Sequence, residues 1–217
     1  MSGRRVGREP TGHIAASDCE RCRRGLVAQP VNTVSSLAFV AAGALTIRSL
    51  RRRRVDTPGE AAVGWAAMAA GLGSVAYHGP GTAFGRYVHD ASLLNLLASL
   101  TLADGSRASG RPVPRSALAI VPVVSSVAAH PRTSMGAQAA FGIAAGAAEA
   151  ARVATEDSSR AIRVRDAAEA VTVGVGALAH VLGRSGGPWC RPDSLVQPHA
   201  LWHVAMAATV YLRSSAT

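Results

Sequence analysis

The run AAVGWAAMAAGLGSVAY, residues 61–77, carries no charge on any face of the helix it would form. A helix on the surface of a soluble protein shows a polar stripe opposite its apolar one. This run has none, which suits a lipid surround better than water. Six further charge-poor runs flank it, at residues 33–47, 91–103, 116–129, 134–148, 167–182 and 200–212. Several are shorter than the roughly 20 residues that cross a hydrocarbon core, so flanking residues must complete the span or the bilayer must thin around it. The predicted fold is all-α, an integral membrane bundle of seven transmembrane helices over residues 33–217. Residues 1–32 form an extramembrane N-terminal segment ahead of it. The competing reading is a soluble Ala-rich helical bundle, which the missing polar stripe disfavours.

The chain has 217 residues, 48% of them hydrophobic, and a formal charge of +10 in which every basic residue except histidine is arginine. A nucleic-acid surface would line arginines along one face with aromatic residues between them. Here they stand in clusters between apolar runs, RSLRRRR at 48–54, GSRASGRPVPR at 105–115 and SSRAIRVR at 158–165, so no nucleic-acid partner is expected. Gly, Ala and Ser within the runs, as in GAQAAFGIAAGAA at 136–148, let helix backbones approach closely where lipid supplies no hydrophobic drive for association. The first 30 residues hold six arginines and no apolar core of a signal peptide, so insertion is expected to rely on the first helix.

Orientation follows from the arginines of alternate loops. With the N-terminus outside, the inner loops and C-terminal tail carry thirteen, and the outer loops four, Arg86, Arg132, Arg184 and Arg191. The tail argues the other way through Arg4, Arg5, Arg8, Arg21, Arg23 and Arg24. The loop count is followed here: N-terminus outside, C-terminus cytoplasmic. Cys19, Cys22 and Cys190 then share the outer side, where disulfides persist.

On this topology five polar residues fall at one depth. Ser74 and His78 end the second helix, Asp90 opens the third, and His199 and His203 open the seventh behind Pro198, which suits a first helical position. Residues four apart share a helix face, so His199 and His203 can offer two nitrogens to one ion, with His78 as the third. Three histidines with an open fourth position form a zinc arrangement used for hydrolysis. Asp90 would carry the proton, and Ser74 would donate to the oxyanion. His13, His89, His130 and His180 lack partners at matching spacing and read as structural or exposed. Glu149, Asp166 and Glu169 fall toward the inner half, where helix pairing or a loop accounts for them.

These residues resemble the alkaline ceramidases, within a superfamily of seven-helix membrane hydrolases that includes adiponectin-receptor-like proteins. The motifs that carry the resemblance are SDCERC at 17–22, VNTVSS at 31–36, the Ser74–His78 pair, Asp90, and His199–Trp202–His203. The resemblance implies zinc held by His78, His199 and His203, Asp90 as acid/base, Ser74 near the oxyanion, and cleavage of the amide of a ceramide-like membrane lipid. It also implies a disulfide between Cys19 and Cys190, with Cys22 left over or competing for the same partner, and a calcium site whose candidates are Asp18 and Glu20. The chain departs from the family at that calcium site, with Gln29 at an acidic position and Cys22 at an Asn-type one. The alternative to the enzyme is a non-catalytic receptor-like or transport protein that uses the metal only to tie helices together.

Overall fold

The computed structural model describes residues 15–54, 57–156 and 159–214. His13, Arg4, Arg5 and Arg8 therefore lie outside the described residues. After a single turn of 3-10 helix at Ala16–Asp18 come seven α-helices: α1 (Pro30–Arg53), α2 (Pro58–His78), α3 (Ala83–Ser109), α4 (Arg115–Ala128), α5 (Ser134–Thr155), α6 (Arg160–Leu182) and α7 (Pro198–Ser214). Among the described residues there is no strand.

The ends of these helices have local causes. Proline opens α1, α2 and α7, where its missing N–H costs nothing and its fixed φ is already helical. Thr82 caps α3 by accepting from Gly85 N at 3.0 Å, and Ser159 caps α6 by accepting from Ile162 N at 3.3 Å. Gly110 ends α3 in the left-handed conformation, φ 65°.

α1 packs on α2 and α7, α2 on α3, α3 on α4 and α5, and α6 on α7. Small residues set the closeness of these contacts. A Cβ at Gly43 of α1 would lie 2.3 Å from the Gly64 carbonyl oxygen of α2, so the two backbones cross there with no room for a side chain. The core is rich in small residues, Ala42, Ala66, Ala67 and Ala70 among them, with Phe39, Val63, Leu96, Leu100 and Val210 as the larger members.

Large apolar side chains point outward instead. Val34, Trp65, Leu72, Ile120, Ile143, Val171 and Val204, from every helix but α3, are all more than 45% exposed. The interior holds the charges. Arg152 is fully buried and Asp104 nearly so, and with Glu60, Arg107, Glu149, Asp166, Glu169 and Arg213 they join α2, α3, α5, α6 and α7 at the end opposite α2's His78. Of the two readings of Glu149, Asp166 and Glu169, helix pairing or a loop, these contacts show the first.

Among the described residues one helix, α1, is both long and apolar enough to cross a membrane. α4 is apolar but shorter. α2 and α5 are built chiefly of Ala and Gly, which bring little hydrophobicity per residue.

Candidate metal centre

The last turn of α2 and the first two turns of α7 meet beneath the N-terminal segment. His78, His199 and His203 each bring a ligand atom within 4.8 Å of the others'. The ring centroids of His78 lie 5.0 Å from His199 and 5.1 Å from His203, and those of the α7 pair lie 4.6 Å apart. The expected i, i+4 pair thus converges with the histidine from α2. His78 and His203 are buried.

Each histidine has an acceptor or a carboxylate beside its Nδ1. His78 Nδ1 donates to the Gln29 side-chain carbonyl at 2.8 Å. The orientation of that amide is set by its own nitrogen, which donates to the carbonyls of Ala15 at 2.9 Å and Glu20 at 3.0 Å. His203 Nδ1 lies 2.9 Å from the Ser35 hydroxyl, whose proton goes to the Asn32 carbonyl at 3.0 Å, so the imidazole is the donor in that pair. Both rings therefore keep Nε2 as the lone-pair nitrogen, the form in which imidazole binds a metal. His199 Nδ1 lies 3.8 Å from the Asp18 carboxylate, whose other oxygen is 4.0 Å from His78 Nδ1. Burial pushes the Asp18 carboxyl above its ordinary pKa, with the Ser17 hydroxyl opposing the shift.

Ser74 stands in the same group. Its Oγ accepts from Ser36 at 3.0 Å and lies 3.4 Å from His203 Nε2. Asp90 is buried one step away: His89 Nδ1 is 2.9 Å from one of its oxygens, Arg86 Nε is 3.7 Å from the other, and Ser134 of α5 also bonds to it. The rings of His89 and Tyr77 stack at 4.9 Å, and Tyr77 meets His78 edge-on at 4.9 Å, which links Asp90 to the histidines through two aromatic rings.

Three contributors escape a reading of spacing. Gln29 and Ser35 supply the Nδ1 partners, and His180 of α6 lies 5.7 Å from His199 and 5.0 Å from Trp202. His180, read from sequence as structural or exposed, borders the centre. Its partners belong to α7, so no spacing within α6 announces it. Trp202, between His199 and His203, is the available signal.

The residues fit zinc: three imidazoles, with the Nδ1 side of each facing an acceptor or carboxylate. They do not fit calcium at Asp18 and Glu20. Both Glu20 oxygens accept from the N-terminus of α1, from Val31 N at 2.9 Å and Asn32 N at 2.8 Å, and Asp18 faces the histidines. Between the surrounding carbonyls sits the N–H2 of Gln29, a donor where a cation would need an oxygen.

Cys19 and Cys190 form a disulfide, as the resemblance implied, and Cys22 stands outside that bridge. The bridge fastens the N-terminal segment to the loop before α7, beside an Arg21–Asp193 ion pair at 2.6 Å. No protein-family model, curated protein or solved structure matches this chain.

Proposed function

We propose that the chain is an integral membrane zinc amidohydrolase of seven spanning helices that cleaves the amide bond of ceramide or a similar lipid amide. The convergence of His78, His199 and His203, backed on their Nδ1 sides and joined by the Ser74 hydroxyl, carries the reading. Its membrane part is supported by α1 and by an exterior of Val, Leu, Ile and Trp around buried charge, an arrangement that soluble monomers rarely show. The arginine count places the N-terminus outside, and the disulfide beside the centre is consistent with that side.

A zinc ion held there would lower the pKa of a bound water to about 7 and polarise a carbonyl oxygen. The chain's own groups supply the rest. Ser74 donates a hydrogen bond to the amide oxygen as negative charge gathers on it. Asp90 would carry a proton from the attacking water to the departing amine as the C–O bond forms and the C–N bond breaks. His89 and Arg86 hold the Asp90 carboxylate.

Among the described residues the histidine group contains three ligands, whereas structural zinc sites take four from protein. That count favours the enzyme over a receptor or transporter tied together by metal. Metal analysis of the purified protein, paired with product detection from a panel of lipid amides, tests the proposal. His199→Ala is expected to lose both zinc and hydrolysis, and wild-type protein that binds no zinc overturns the mechanism.

A further inference from the structure

At the end of α1 away from the histidines, five arginines stand exposed: Arg48, Arg51, Arg52, Arg53 and Arg54. The nearby carboxylates are engaged by other arginines, Glu60 by Arg107, Asp104 by Arg213, and Glu149 and Asp166 by Arg152. Among the described residues none pairs with the five. Arg48, Arg51 and Arg52 are spaced at i, i+3 and i+4, so they share a helix face. That face looks onto a cavity of about 420 Å³ between α1 and α2, where the same three arginines meet apolar Ile47, Trp65 and Met68. A second hollow of about 370 Å³ shares Ile47, Arg51 and Trp65 with it and continues toward Arg54 and Thr57. The cause lies in the backbone: α1 and α2 touch at Gly43 and Gly64, and the larger side chains after that crossing hold a trough open on the outer surface.

We propose that this trough is a binding site for an anionic phospholipid of the inner leaflet, with an acyl chain against Ile47, Trp65 and Met68 and the phosphate held by Arg48, Arg51 and Arg52. Guanidinium forks match phosphate oxygens in pairs, and a basic cluster where a helix leaves the membrane attracts anionic lipid. Retention of the loop on the cytoplasmic side would explain charge in the last turn of α1 and at Arg54. It does not explain Arg48, inside α1 and beside a Trp65 that is 56% exposed. The proposal rests on the membrane reading above.

The test is native mass spectrometry of the full chain released from mixed micelles of phosphatidylglycerol and phosphatidylcholine. Wild-type protein is expected to retain phosphatidylglycerol in preference. Replacing Arg48→Gln with Arg52→Gln should cut that occupancy about fivefold for each guanidinium removed. The charge-matched pair Arg160→Gln with Arg163→Gln, on α6, should change it less than about twofold, because neither arginine lines the trough. Trp65→Ala should lower retention of both lipids. Equal retention of the two lipids by wild type, or an equal loss in the α6 pair, overturns the site and leaves the membrane reading standing. A chain that stays monomeric without detergent and retains neither lipid overturns both.

Discussion

The Gln29 carbonyl accepts from His78 Nδ1 while the nitrogen of the same amide holds the Ala15 and Glu20 carbonyls, so one neutral side chain orients a metal ligand and fastens the N-terminal segment. The two jobs separate by substitution. Gln29→Glu keeps the acceptor and loses the donor. Zinc affinity should hold while stability falls by about 1–3 kcal/mol, the cost of stranding buried carbonyls. Gln29→Ala loses both, and zinc affinity should then fall about 10- to 100-fold. Zinc titration and thermal unfolding of the two variants would read this, and equal zinc affinities in them would refute the orienting role.

What spacing could reveal was the part of the centre that lies along one helix. His199 and His203 share a face of α7, and seven charge-poor runs foretold the seven helices. The helices extend past those runs, α3 to Ser109 and α6 back to Arg160, because their charged ends turn inward to meet one another. A sequence displays those charges but not their pairing, which is decided between helices. Gln29 was hidden for a different reason: a neutral amide has no characteristic spacing, and its importance comes entirely from the two segments it touches.

Glu20 is spent on the α1 N-terminus, where a carboxylate satisfies two otherwise unpaired backbone N–H groups and meets the positive end of the helix dipole. Glu20→Ala should therefore cost about 1–2 kcal/mol with or without calcium. Adding calcium or a calcium-selective chelator to wild-type protein should leave its melting temperature unchanged. A calcium-dependent rise in melting temperature that disappears in Glu20→Ala would restore a cation to this segment.

The Cys19–Cys190 bridge spans 171 residues of chain and fixes the segment that bears Asp18 and Glu20 over the histidines. Cys190→Ser should lower stability by about 2–4 kcal/mol and weaken zinc binding, since Asp18 then loses its anchorage beside His199. Cys22→Ser should do neither. Unfolding curves and zinc titrations with and without reductant would check both, and a loss in Cys22→Ser equal to that in Cys190→Ser would mean that the thiols exchange partners.

Arg152 of α5 has no exposed surface and lies among carboxylates from three helices, with Asp166 of α6 at 3.1 Å, Glu169 of α6 and Asp104 of α3 each at 3.8 Å, and Glu149 on its own helix. Removing the guanidinium leaves those carboxylates without their shared counter-charge, and breaking a buried pair from one side costs about 3–5 kcal/mol. Arg152→Met keeps most of the volume, so its loss would be electrostatic rather than a cavity. Arg152→Lys should recover only part, because an ammonium cannot fork toward several carboxylates at once. Adding Asp166→Asn to Arg152→Met removes one stranded charge and should regain stability, a sign that a packing defect would not produce. Thermal unfolding of the four proteins in one detergent measures this, and a loss under about 1 kcal/mol in Arg152→Met, the scale of an exposed pair, would show that water already reaches the network.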